Sequence, residues 1–223
     1  MRVDSRFRFL RGPLFWLVAL HAIGAVSALE APEPYRTWVL SATPLHLAVV
    51  VGLMALGEPR PLGAFGRALG LCLAYGFILE WIGVHTGWPF GDYRYGNALG
   101  PKWMGVPLII GLNWFVVSVS VRQWIPQRAG KWGEILRHPA VFSALAALGM
   151  VGLDALIEPV APKLDYWYWA QGVAPLRNFV GWFAGGWLLQ GLLNRVLPFR
   201  PNQIARWTFP IQVVFFVLLN WFL

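Results

Sequence analysis

Residues 80–107 read EWIGVHTGWPFGDYRYGNALGPKWMGVP. A carboxylate, Glu80, stands near the end of a long apolar run, a loop dense in glycine, proline and aromatic residues follows, and a second apolar run begins beyond it. A weaker copy of the pattern lies downstream. Asp154 closes another apolar run, Asp165-Tyr166-Trp167-Tyr168 echoes Asp92-Tyr93-Arg94-Tyr95, and Gly172-Val173-Ala174-Pro175 echoes Gly105-Val106-Pro107. Asn113-Trp114-Phe115 is answered by Asn178 and Trp182-Phe183. Acids embedded in apolar segments are costly and mark function. Two of them in matching positions point to a repeated unit that carries one acid in each half.

The rest of the chain agrees with a membrane setting. Of its 223 residues, 57% are hydrophobic and 13% charged, against roughly 25% charged in soluble domains. Mean hydropathy is +0.55. The expected class is an all-α, polytopic integral membrane protein with one membrane domain, residues 1–223, and a core motif region at 75–185. The single cysteine, Cys72, lies in an apolar run and can form no internal disulfide. The net charge of +8 would suggest nucleic acid in a soluble chain. Here the basic residues sit between apolar runs, and no exposed basic domain exists to bind nucleic acid.

A membrane span needs about 17 to 25 apolar residues. Seven runs qualify: 13–29, 37–56, 62–84, 104–121, 138–158, 173–197 and 207–223. The first, preceded by Arg2, Arg6, Arg8 and Arg11, resembles a signal peptide but is expected to remain as a span, because the following chain is membrane-embedded too. Alternate loops then fall on opposite sides. One side collects Arg2, Arg6, Arg8, Arg11, Arg60, Arg67, Arg122, Arg128, Lys131, Arg137, Arg195, Arg200 and Arg206; the other has only Arg36, Arg94, Lys102, Lys163 and Arg177. The basic side is cytoplasmic by the charge rule, which puts the N-terminus inside and the loops 85–103 and 159–172 outside. The two helix–loop–helix units become parallel repeats related by an axis along the membrane normal. Pro107 and Pro175 suit first helical turns, and Pro44 is expected to kink the second span.

Asp154 and Glu158 are four residues apart and share a helical face. Two carboxylates this close in low dielectric rarely ionise together, so one is expected to hold a proton and serve as a general acid. The plain alternative is that Glu158 pairs with Lys163 or Arg177. Glu80 is the candidate for ordering a water, against a purely structural buried ion pair. Trp81, Trp88, Phe90, Tyr93, Tyr95 and Trp103 around the first loop, and Tyr166, Trp167, Tyr168 and Trp169 around the second, read either as an interfacial aromatic belt or as a pocket wall that stabilises a cation. Asn113 and Asn178 lie within spans and either join helices or hold a polar ligand atom. His85 is a loop candidate beside Glu80. No His/Asp/Glu group has metal-ligand spacing, and phosphate-loop, nucleophile-elbow and dinucleotide motifs are missing. The expectation is a site without metal or cofactor.

Gly83-Val84-His85-Thr86-Gly87-Trp88-Pro89-Phe90-Gly91, Tyr93, Tyr95 and Gly105-Val106-Pro107 resemble the signature of the CruF-type integral-membrane carotenoid biosynthesis proteins, the carotenoid 1,2-hydratases. Asp154, Glu158-Pro159, Tyr166-Trp167, Trp169, Asn178 and Gly181-Trp182 fall where that family has an Asp-xxx-Asp-Pro, a Tyr-Trp-x-Trp and a Gly-Val-Pro-x-x-Asn-x-x-Gly-Trp pattern. Glu158 replaces an Asp of the pattern, Ala174 interrupts the second Gly-Val-Pro, and Asp92 and Asp165 stand outside its acidic positions.

The resemblance implies cofactor-free addition of water to the terminal isolated double bond of an acyclic carotenoid end, such as that of lycopene or gamma-carotene. For that chemistry the residues themselves suggest the Asp154/Glu158 pair as proton donor and Glu80 as the group that orients or deprotonates the attacking water, with the reverse assignment left open. His85, Tyr93, Tyr95, Asn113, Tyr166, Trp167, Trp169, Asn178 and Trp182 would bind substrate. It also implies a bacterial or archaeal inner-membrane location, lipid around the protein, and other carotenoid biosynthesis enzymes as partners. Two other readings stand beside it. A membrane prenyltransferase needs two Asp-rich metal-binding motifs, of which Asp154-x-x-x-Glu158 is one faint match. A noncovalent carotenoid-binding protein needs only a pocket. Retinal attachment requires a lysine inside a span, and Lys102, Lys131 and Lys163 all lie in loops.

Overall fold

A computed structural model describes residues 11–59, 61–125 and 131–223. The chain is mostly helical: α1 (Arg11–Glu30), α2 (Tyr35–Ser41), α3 (Thr43–Leu56), α4 (Leu62–Thr86), α5 (Ile110–Val121), α6 (Lys131–Arg137), α7 (Pro139–Ile157), α8 (Leu176–Val196) and α9 (Gln203–Phe222). Four short strands interrupt it, β1 (Tyr93–Tyr95), β2 (Lys102–Trp103), β3 (Val106–Pro107) and β4 (Trp167–Trp169), so the expectation of helices alone needs amending. They form two antiparallel ribbons, β1 with β4 and β2 with β3.

Local chemistry explains the helix boundaries. α4 stops at Gly87, whose φ of +68° is open to glycine and whose N–H returns to the Gly83 carbonyl at 2.8 Å. Pro175 caps the start of α8, as expected. Asn202 caps α9 by accepting the Ala205 N–H at 3.0 Å. Pro44 lacks the N–H that would bond the Leu40 carbonyl, and the axis bends by 45° between α2 and α3. The Thr43 hydroxyl donates to Leu40 O at 2.6 Å instead. Pro210 inside α9 likewise frees the Arg206 carbonyl, which accepts the Trp124 indole at 2.7 Å.

Four helices, α1, α4, α7 and α9, are long and apolar enough to cross a membrane, and the bent α2–α3 pair makes a fifth if it is one span. Two of the seven expected runs do not qualify among the described residues. Run 104–121 spends its first residues on β3 and the turn after it, so Pro107 lies in a strand rather than a helical first turn. The remaining helix, α5, has 12 residues and reaches about 18 Å, short of a hydrocarbon core of about 30 Å. Nearly all of α5 is buried, and it packs against α3, α4, α7, α8 and α9. It is the axle of the bundle. Run 173–197 becomes α8, which carries Arg177, Asn178, Gln190, Asn194 and Arg195 and packs along α7.

The connections gather at two ends. At one, the β1–β4 ribbon joins the two echoing loops, and the Arg36 guanidinium donates to Ala28 O and Lys163 O, both at 3.0 Å. At the other, Asn202 donates to Met54 O at 2.9 Å and Gln123 to Arg200 O at 3.2 Å. Arg2, Arg6, Arg8, Arg60 and Arg128, which contribute to the charge asymmetry, lie outside the described residues.

Gly76, Glu80 and Gly83 share one face of α4. A Cβ on Gly76 would sit 2.6 Å from the Trp114 ring, and one on Gly83 would sit 2.6 Å from the Tyr93 hydroxyl. Gly70, on the same helix, has open space around it. Gly76→Ala is therefore expected to destabilise by about 1–3 kcal/mol through overpacking, despite better helix propensity, whereas Gly70→Ala is neutral or stabilising by up to about 1 kcal/mol. Thermal unfolding of the detergent-solubilised variants measures both.

Candidate active site

The site forms where the two echoing loops meet. β1 and β4 pair with Tyr93 opposite Trp169, Arg94 opposite Tyr168 and Tyr95 opposite Trp167. Side chains alternate across a ribbon. Tyr93, Tyr95, Trp167 and Trp169 point into the bundle, while the Arg94 guanidinium lies 4.5 Å above the Tyr168 ring on the outer face. The pairing continues past the strands, with Ala170 N–H to Asp92 O and Gly96 N–H to Tyr166 O at 2.9 and 2.8 Å.

Glu80 is 4% exposed and lies under this ribbon. Its Oε2 accepts the hydroxyls of Tyr93 and Tyr95 at 2.5 and 2.7 Å, and its Oε1 accepts the Trp114 indole N–H at 3.0 Å. Burial, with the Glu80 charge as the next cause, pushes both phenols far above their ordinary range, so they remain protonated donors. Three donors converging on one carboxylate are the arrangement that an ionised acid requires.

The second acidic group is built from the other half. The Asn178 amide donates to Asp154 Oδ2 at 2.8 Å and to Glu158 Oε1 at 3.1 Å. The indoles of Trp167 and Trp169 donate to Glu158 Oε2 at 3.2 and 2.6 Å. Glu158 thus has three donors and Asp154 one, and Asp154 is 3% exposed. Trp114 and Trp182 stack almost coplanar, 6° apart with centroids 4.3 Å apart. The indole that serves Glu80 therefore packs directly on an indole from α8.

A cavity of about 20 Å³ lies between the two groups, lined by Glu80, Asp154, Glu158, Asn178, Asn113 and Trp182 among others. A single water needs about 10–15 Å³ of such space, so it has room for one. A second cavity, about 260 Å³ and almost wholly apolar, lies among α1, α3 and α9. Ile110, Asn113 and Trp167 line both.

Most residues singled out in the sequence come together here. Tyr166 lines the larger cavity and has Thr43 Oγ1 at 3.4 Å from its hydroxyl. His85 does not join them: it is exposed, and its Nδ1 lies 2.9 Å from Trp81 O. Asp92 is an exposed loop acid 3.7 Å from Arg177, and Asp165 accepts the Asn97 N–H and the Tyr168 hydroxyl. Glu158 pairs with indoles and an amide rather than with Lys163 or Arg177 among the described contacts. Phe90, one of the aromatics expected around the first loop, lines the small cavity, whereas sequence reasoning gave no site role to Trp114, Gly76 and Gly83. Trp114 was within reach, since Asn113-Trp114-Phe115 is one of the echoed segments. Among the described residues no group of three or more His, Cys, Asp or Glu is disposed to hold a metal ion.

The model of a family described as "Carotenoid biosynthesis protein" matches residues 35–223. The chain belongs to that family. It is also 27% identical over 183 residues to the bisanhydrobacterioruberin hydratase of Haloarcula japonica, an alignment covering 76% of this chain and 60% of that protein. The chain therefore spans less than two thirds of that relative's length. No solved structure matches it.

Among the described residues the Asn178 amide is the side chain bonded to both Asp154 and Glu158. Asn178→Leu is expected to cost about 2 kcal/mol or more, since hydrogen bonds to charged groups contribute about 1.5–3 kcal/mol. The drop is read as a lower unfolding midpoint in detergent, with α-helical circular dichroism retained below it.

Proposed function

We propose that this protein is a carotenoid hydratase that adds water across the terminal isolated double bond of an acyclic carotenoid end. One observation carries the reading. Three carboxylates with unequal hydrogen-bond support face a space for one water, and an apolar cavity of about 260 Å³ begins at the shared wall of Asn113 and Trp167. Family membership and the name of the Haloarcula relative, a hydratase, support the same chemistry.

The residues divide the work as follows. Asp154, with one donor, is the acid suited to carry a proton. It protonates the less substituted alkene carbon and leaves a tertiary cation. Tyr93, Tyr95, Trp167, Trp169 and Trp182 line the small cavity beside Asp154, and an aromatic face stabilises a desolvated cation by about 2 kcal/mol. The water, held by Asn113 and Asn178, forms the new C–O bond. Glu80, the acid with three donors, takes the proton this water loses. Glu158, fixed by Trp167, Trp169 and Asn178, relays that proton from Glu80 back to Asp154. The sum is one H and one OH added to the alkene, with every protein group restored and no cofactor consumed.

We place the N-terminus in the cytoplasm of a bacterial or archaeal cell, with α1, the α2–α3 pair, α4, α7 and α9 as candidate spans of its inner membrane, and read the α4–α5 and α7–α8 units as parallel repeats. The antiparallel β1–β4 ribbon supports that symmetry by joining the two echoing loops, and the Trp114–Trp182 stack by joining echoed tryptophans of the two units. The ribbon end then lies at the outer leaflet, where a carotenoid end enters from lipid.

The test is pigment analysis in a host that makes acyclic carotenoids. Wild type is expected to add the mass of one water. Asp154→Asn and Glu80→Gln are expected to lose about 10²–10⁴-fold of the rate, the usual contribution of a positioned acid or base. Full hydration by both variants would remove the assignments, and unchanged pigment with wild type would remove the reaction.

A further inference from the structure

The cavity among α1, α3 and α9 has polar groups that the hydration step does not use. Its wall is mainly aliphatic, and Ile23, Leu45 and Val49 on its rim are exposed on the outer surface of α1 and α3. The cavity thus opens toward lipid. Below the rim stand His21, His46 and Gln212. The two imidazoles meet edge to face with centroids 4.5 Å apart. His21 Nδ1 lies 2.8 Å from Leu17 O. A carbonyl only accepts, so Nδ1 carries the hydrogen, and in the neutral ring Nε2 is an acceptor. Gln212 is 7% exposed, and its amide Oε1 is buried without a hydrogen-bond partner.

A buried acceptor without a partner in an apolar chamber, Gln212 Oε1, calls for a donor that arrives with the ligand. A hydrocarbon offers none, and neither does a ketone or an ether. A hydroxyl does. The volume, about 260 Å³, is below the roughly 300–1,000 Å³ of clefts that enclose a whole drug-sized ligand. The cavity therefore holds one end of a long chain, with the remainder in lipid.

We propose that His21, His46 and Gln212 form a hydroxyl-recognition site, so that the preferred ligand is an acyclic isoprenoid chain already bearing an alcohol rather than a bare hydrocarbon. The inference rests on the proposed hydratase reading for its view of this cavity as the substrate's seat. The alcohol donates to Gln212 Oε1, and the His21–His46 pair supplies the neighbouring polar wall. The same chain, running toward Asn113 and Trp167, brings an unsaturated terminus to the carboxylates. A preceding reaction that installs a hydroxyl on the chain must then supply this substrate.

The probes are farnesol, its methyl ether and the hydrocarbon farnesene, titrated against the full chain in detergent by tryptophan fluorescence. Wild type is expected to bind farnesol about tenfold more tightly than the other two, the factor that corresponds to 1.4 kcal/mol. Gln212→Leu is expected to bind all three alike while keeping wild-type affinity for farnesene. Equal binding of the three probes by wild type overturns the site, as does a preference that survives in Gln212→Leu. The wild-type series stands on its own if the variant fails to fold. Pigment mass separates the two readings. Alcohol preference without any gain of water sinks the hydratase and keeps the site; water gained by hydrocarbon pigment without alcohol preference does the reverse.

Discussion

The Glu80 carboxylate is the constraint around which the rest is arranged. It lies buried on a membrane-class helix, where an uncompensated charge is prohibitive. Its three donors come from two separate places: Tyr93 and Tyr95 from the ribbon, and Trp114 from the central helix. Meeting this one acid therefore fixes the ribbon over α4 and α5 against its side. Gly76 and Gly83 make that approach possible, because any Cβ there would strike Trp114 or Tyr93.

The second half repeats the solution with other side chains. Indoles of Trp167 and Trp169 replace the phenols, and the Asn178 amide takes a place comparable to the Trp114 indole. The two halves are locked together twice, by β1–β4 pairing above and the Trp114–Trp182 stack below. One consequence is chemical. Glu80 and Glu158 are each held by three donors and Asp154 by one, so similar residues in one cavity are set up for different proton-transfer roles.

Much of this was legible in the chain itself. The echoed Asp-Tyr-x-Tyr segments and the acids at the ends of apolar runs name Glu80, Tyr93, Tyr95, Asp154, Glu158 and Trp167 of the cavity, because embedded polar groups have few explanations other than each other. Three kinds of information were hidden. Hydropathy cannot distinguish a helix shielded by protein from one facing lipid, so the buried 12-residue α5 reads like a span. A three-residue strand carries too little periodicity to announce a ribbon whose partner lies some seventy positions away. Side-chain direction at a helix end is also invisible, which is why His85, beside Glu80 in sequence, faces outward while Trp114 turns in.

Whether the acids work as one unit is settled most directly by a double-mutant cycle on hydration rate, with Glu80→Gln, Asp154→Asn and the pair together. Groups acting on the same water in the same cavity are strongly non-additive. The account predicts that the double variant is no slower than the slower single variant. Losses that multiply, each acid contributing as though the other were absent, would contradict it.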